Sequence, residues 1–189
     1  WFKTYEMKKV LFLLMFPVLS FGQGDFRKMN WGQSVEDLKT TYPEEQFFKT
    51  NSEGFDVQTH SGTLAGIDVQ IMYMFQDNKL YSGVYVFKNI GKDTQLNLND
   101  YMTISNILKK KYIIQNEDEW FNVRWKDKPD YLKIALLQKH VNLKETAQNG
   151  NKLIVHTLTQ DENLGLAHSL LYAPADWVEK KQNESYDDF

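Results

Sequence analysis

From residue 46 to 88 apolar side chains recur at every second position, the rhythm of strands whose alternate residues face opposite sides. Within residues 66–75, Ile67, Val69, Ile71, Tyr73 and Phe75 fall on one side, against Asp68, Gln70, Met72 and Met74 on the other. Asp77 and Asn78 follow, and both residue types tolerate the positive φ of a tight type I′ turn. A two-residue loop pairs Phe75 with Leu80, Ile71 with Val84 and Val69 with Val86 on one apolar face. The opposite face then pairs Met74 with Tyr81 and Met72 with Gly83, a surface that is not strongly polar and invites cover by another element.

Helical spacing precedes and follows this region. Ser34 and Asp37 form a compact capping pair, Glu36 and Asp37 place negative charge in the first turn, and Pro43 ends the helix near Tyr42. Val35, Leu38 and Tyr42 share one stripe that faces the sheet. A polar connector over residues 89–100 leads to a second helix over about 101–112, started by Asn99 or Asp100, with Tyr101, Ile104, Ile107 and Leu108 on one face. Strand-like runs follow at 119–125, 131–141, 143–147, 152–159 and 164–172, with Asn149-Gly150 as the clearest hairpin turn.

The pattern predicts one α+β domain over residues 23–177, an antiparallel sheet with two main helices, and a charged, fraying tail over 178–189. Residues 66–87 and 150–171 align at a constant offset of 84, Gly66 on Gly150 and Leu80 on Leu164. Two readings fit: a duplicated helix-plus-strands unit (about 26–88 and 98–173), or two hairpins alike by chance.

The N-terminal residues change the picture of where the chain acts. Met7, Lys8 and Lys9 precede twelve largely apolar residues, 10–21, the layout of a secretory signal. Twelve helical residues reach only about 18 Å, short of a ~30 Å hydrocarbon core, so no permanent membrane span is expected. A buried N-terminal core helix is the alternative. Ser20 and Gly22 are small residues placed for cleavage between Gly22 and Gln23; residues 1–22 would be removed, and the destination is periplasmic or secreted. Removing a segment of net +2 from a chain of net −3 leaves −5. That charge gives no case for nucleic-acid binding. The absence of cysteine excludes disulfides, thiolate metal sites and thiol nucleophiles.

The lead-in Phe26-Arg27, Trp31-Gly32, Ser34 and Glu36 resembles the opening of many secreted proteins and lipoproteins of bacteria whose role is uncharacterised. Residues 62–69, a strand and Asp77-Asn78-Lys79-Leu80 resemble their next segment, so the likeness covers roughly 26–87. More distantly, a helix start of this type before an antiparallel sheet resembles the BamE/SmpA and beta-lactamase-inhibitor-protein folds. That resemblance implies a non-enzymatic binder and assigns no catalytic residue.

Local catalytic signatures are sparse. His60, His140, His156 and His168 include no pair at helical metal-ligand spacing, although His156 and His168 lie on neighbouring strands and could approach each other. No Gly-x-Ser-x-Gly elbow and no glycine-rich phosphate loop is present. Glu117, Asp118, Glu119, Asp161 and Glu162 read as solvated turns. Asp93, Asn97, Asn99 and Asp100 offer oxygen ligands without a calcium-loop spacing. Trp120 and Arg124 share one face if residues 119–125 form a strand, and Trp with Arg is the composition of an interface hot spot; a sheet-covering Trp120 is the bland reading. The leading expectation is a non-catalytic exported protein binding another envelope or secreted protein, with no cofactor. A secreted hydrolase with spatially assembled carboxylates or histidine, and a small-ligand carrier, are the alternatives.

Overall fold

The computed structural model describes residues 24–52, 54–88, 93–126, 128–161 and 165–176. The expected signal segment, its cleavage point at Gly22 and Gln23, and the tail lie outside them. The described residues form one nine-stranded antiparallel sheet with three helices. Strands β1 (Phe48–Ser52), β2 (Phe55–Leu64), β3 (Ile67–Gln76) and β4 (Lys79–Phe87) follow one another as hairpins. After α2 (Thr94–Lys109), β5 (Gln115–Asn116), β6 (Glu119–Trp120) and α3 (Leu132–Leu137), the strands β7 (Val141–Asn149), β8 (Lys152–Asp161) and β9 (Gly165–Pro174) complete the sheet. The spatial order is β1-β2-β3-β4-β9-β8-β7-β5, with β6 also on β7, so β4 and β9 join the two halves at the centre.

Helix α1 (Val35–Thr41) forms for the reason its sequence gives. The Ser34 hydroxyl accepts from the Asp37 amide, and the Asp37 carboxylate accepts in return from the Ser34 amide at 2.8 Å. Val35, Leu38 and Tyr42 are all buried against the sheet. Replacing Ser34 with Ala should cost about 1 kcal/mol in the midpoint of chemical unfolding, with Asp37→Ala similar because each serves the other.

The β3–β4 hairpin turns at Asp77 and Asn78, both with positive φ (51° and 58°). Its register departs from the expected one beyond Phe75–Leu80. Tyr81 is an extra residue, so Ile71 pairs with Tyr85 and Val69 with Phe87, rather than with Val84 and Val86. The bulge moves Tyr85 and Phe87 into the core and turns Val84 and Val86 outward; Met74 then pairs with Ser82 and Met72 with Val84.

Other expectations are corrected by local chemistry. Helix α2 starts at Thr94, capped by the Asp93 carboxylate, which accepts from the Gln95 and Leu96 amides; the second helix was expected only from about 101. Its buried stripe opens with the polar Thr94 and Asn97, which an apolar pattern does not register. Residues 131–141 are not one strand: Leu132, Ala135 and Leu136 lie at helical spacing, and the short α3 packs Ala135 and Leu136 inward before β7 begins. Residues 119–125 form only a two-residue strand, because the Asn122 side chain accepts from the Arg124 amide and opens a 3₁₀ turn over Val123–Trp125. The alignment at an offset of 84 lays the buried Ile71 on the outward-facing Val155, and Tyr73 on Thr157, so it superposes opposite faces of the sheet.

The two large core clusters lie on one side of the sheet, while on the other Val57, Ser82 and Ala173 are buried as well. Phe26, Leu38, Ile71, Phe87, Ile104 and Ile154 belong to one large cluster between the sheet, the lead-in, α1 and α2. A second cluster under α3 contains Leu136, Val141, Leu158 and Leu166. No helix among the described residues is long and apolar enough to cross a membrane.

Candidate functional site: an open sheet face over a buried relay

Because the helices and lead-in occupy one face, no helix among the described residues covers the other face of the same strands, although Val57, Thr59, Ser82 and Ala173 are buried within it. Cross-strand partners share a face, so the register traces a line: Met72 beside Val84, Val84 beside Leu171, Leu171 beside Val155, Val155 beside Thr146. At ~4.8 Å between strands this row runs roughly 19 Å across five strands. Every member is half-buried, and Met74, Val86 and Leu153 widen it. The row ends in a hollow of about 660 Å³ bordered by Leu153, Val155, Leu171, Ile113 and the Glu117–Lys144 pair. Ile113 is 91% exposed. The Lys144 ammonium lies 2.8 Å from the Glu117 carboxylate, and Thr146 donates to Glu117 at 2.8 Å, so the charges at this rim are matched. Those contacts hold the Glu117 carboxyl below its ordinary pKa. An apolar centre with a neutralised polar margin is the layout of a protein–protein interface.

On the roofed side, β7, β8, β9 and α2 assemble a buried polar relay. Glu145 and His156 are direct cross-strand partners, with His156 Nδ1 3.1 Å from Glu145 Oε2. Ser105 donates to Glu145 Oε1 at 2.7 Å, and Lys109 reaches the same oxygen at 2.8 Å. His156 Nε2 meets His168 Nε2 at 2.9 Å. Tyr101 stacks on His156 at 4.1 Å and Phe87 on His168 at 3.7 Å. Burial works against the Glu145 charge, but the bonds from His156, Lys109 and Ser105 outweigh it and hold the carboxyl at about 2. Burial lowers His156 below its ordinary pKa despite Glu145, and burial with the neighbouring His156 pulls His168 down to about 2. Two neutral imidazoles fix the proton positions. His156 Nδ1–H donates to the carboxylate, so its Nε2 accepts, and His168 Nε2–H is the donor. Both rings are fully buried, so this is a core network with no face toward a substrate.

A smaller relay sits at the other end of the core. Arg27 Nη1 donates to His60 Nε2 at 3.0 Å and to the Tyr73 hydroxyl at 3.3 Å, while His60 Nδ1 is 3.0 Å from Glu45 Oε2. An arginine has no acceptor, so the His60 proton resides on Nδ1, facing Glu45. Burial lowers the His60 pKa; Glu45 opposes this and Arg27 adds to it.

The residues singled out from sequence are placed apart from these features. Trp120 is partly buried against the second core cluster, which is the sheet-covering role. Arg124 is exposed on the following 3₁₀ turn, so the two do not share a strand face. Phe121 and Val123 beside them are 65% and 73% exposed. His140 stacks near Trp125 at 6.1 Å. Glu117, Asp118 and Glu119 clamp β7: Asp118 accepts from the Lys144 amide and Glu119 from the Asn142 side chain. Asp93 is engaged as the α2 cap. Among the described residues no group of three or more His, Asp or Glu could hold a metal ion.

Fold and site together define a class: an α+β protein on a single antiparallel sheet, with one face roofed and the other presenting an apolar row. No protein family, curated protein or solved structure matches the chain.

Proposed function

We propose that this chain is an exported, non-catalytic envelope or secreted protein that docks another exported protein on the open face of its sheet. The observation that carries the reading is the apolar row Met72, Val84, Leu171 and Val155, continuous across four neighbouring strands without a charged side chain. A partner with an uncharged apolar surface fits it, because a charge placed there would lose water without finding an opposite charge. The resemblance of the lead-in to bacterial secreted proteins, and of the layout to binder folds, supports the same reading. The layout of residues 7–23 supports export. The Trp120–Arg124 segment is a lateral surface, secondary because Trp120 is largely taken up by packing.

Two measurements test this. The mass of the exported chain should correspond to a first residue of Gln23; retention of residues 1–22 would contradict export. A photo-cross-linker at Leu171 should yield a discrete adduct in the cells that make the protein, and one at Asn106, on the exposed side of α2, should not. Val84→Lys should remove the Leu171 adduct while changing stability by no more than about 1 kcal/mol. Equal adducts from both positions, or none from Leu171, would contradict docking on this face.

A further inference from the structure

The segment between β6 and β7 is a surface that packing does not account for. Of the nine large apolar side chains exposed among the described residues, five (Phe121, Val123, Tyr131, Ile134 and Leu137) fall within residues 121–137. Helix α3 is apolar on both sides. Ala135 and Leu136 are buried in the core, while Tyr131, Ile134 and Leu137, three residues apart, line the outward side where a surface helix ordinarily carries polar groups. The Phe121 amide donates to the His140 carbonyl at 2.9 Å, which fastens the start of the segment to its end. Positive charge gathers in the same place. Residues 121–139 hold five Lys or Arg against two Asp, a net of +3 in a chain of net −3. Arg124, Lys126 and Lys128 are exposed among the apolar groups, and the Lys128 ammonium sits 6.0 Å over the Trp125 ring and 5.8 Å over that of Tyr131.

We propose that this surface seats the protein on an anionic phospholipid membrane, with Phe121, Val123, Ile134 and Leu137 entering the headgroup layer and Arg124, Lys126 and Lys128 against lipid phosphates. Composition favours lipid over a protein partner. Lysine is depleted in protein interfaces, whereas cations interleaved with Trp, Phe and Leu mark segments that lie in a membrane interface. The long Lys stems let each ammonium stay at the phosphates while the neighbouring apolar groups enter. Taking +3 from a chain of −3 leaves −6 elsewhere, so an anionic surface attracts this segment and repels the remainder, which orients the docking. Asp118 and Glu119, just before the segment, are turned to β7, where they accept from the Lys144 amide and the Asn142 side chain. The inference goes beyond the protein docking proposed above and does not need it, because none of these apolar side chains belongs to the row on the open face.

The chain has no cysteine, so Leu137→Cys carries a single environment-sensitive fluorophore, nitrobenzoxadiazole. The full chain so labelled is titrated with phosphatidylcholine vesicles containing about 30% phosphatidylglycerol, which gives an anionic surface. The label at Leu137 should brighten and shift to the blue, while labels at Asn106→Cys on α2 and Leu171→Cys on the open face should not change. Lys126→Glu combined with Lys128→Glu should weaken binding at least about twentyfold, since each cation near an anionic surface contributes about fivefold. Phe121→Ser with Ile134→Ser, both at exposed positions, should remove the Leu137 shift and leave the urea midpoint unchanged. No shift at Leu137 with anionic vesicles, an equal shift with phosphatidylcholine alone, or a shift at Leu171 instead would overturn the proposal. A Leu137 shift that follows chain concentration without vesicles would assign the surface to a second copy and overturn it as well.

Discussion

Phe26→Ala will lower the stability of the chain by about 3–5 kcal/mol, read as a shift in the urea midpoint. The ring is 1% exposed and packs against Tyr73 and Tyr85 at 5.2 Å and Tyr172 at 5.6 Å. Its position is set by a tight local loop, in which the Phe26 and Met29 amides each donate to the other's carbonyl at 3.0 Å. Room for the ring comes from Gly83 on β4: a Cβ there would lie 2.1 Å from a Phe26 ring carbon. Gly83→Ala must therefore push the ring out, which costs about 1–3 kcal/mol as overpacking. The two changes act on one contact, so the double variant should lose less than the sum of the singles. A loss below about 1 kcal/mol for Phe26→Ala would mean that the lead-in is not part of the core.

The second large effect comes from the buried relay and is a dependence on acid. His156 and His168 are held neutral in the folded chain, while in the unfolded chain they take up protons below about 6.5. Below that pH the unfolded state binds more protons, so stability falls as pH falls. Glu145 acts in the same direction at lower pH, because its carboxyl is held at about 2 when folded against 4.5 when free. Its contribution is complete above about 4.5 and is lost as pH falls toward 2. The urea midpoint should thus decline on acidification from neutral pH, first through the histidines and then more steeply through Glu145. His168→Leu should flatten the first part. Glu145→Ala should cost about 2–4 kcal/mol at neutral pH, since it leaves the Ser105 hydroxyl and the His156 Nδ1–H buried without an acceptor, while the half-exposed Lys109 ammonium can turn to water. A midpoint independent of pH between 7 and 4 would contradict the relay.

Much of this architecture is legible in the chain. Ser34, Asp37 and Pro43 mark both ends of α1, and Asp77-Asn78 marks a turn whose positive φ values the structure contains. A hairpin does form at the turn signal Asn149-Gly150, but its two-residue loop is Gly150-Asn151, with Asn149 paired to Lys152. A loop at Asn149-Gly150 itself would set Glu145 opposite Ile154; the observed one-residue shift sets it opposite His156, so the relay is not legible from that turn. The neighbouring-strand placement of His156 and His168 does lead to contact. What alternation cannot encode is a bulge, because Tyr81, Ser82 and Gly83 carry no mark of which residue is extra. Helix α3 is too short to separate from a strand by spacing, and the start of α2 buries polar side chains. The open row depends on the pairing of β4 with β9, whose register is fixed by the whole sheet and by no local pattern.

Peroxide footprinting of the methionines tests most directly whether the sheet has one roofed and one open face. Met29 is fully buried on the roofed side, Met72 and Met74 are half-buried on the other, and Met102 on α2 is 47% exposed. Oxidation of the folded chain should proceed in the order Met102, then Met72 and Met74, then Met29 only on unfolding. Protection of Met72 and Met74 equal to that of Met29 would show that their face is covered, and the account of an open docking surface would fail.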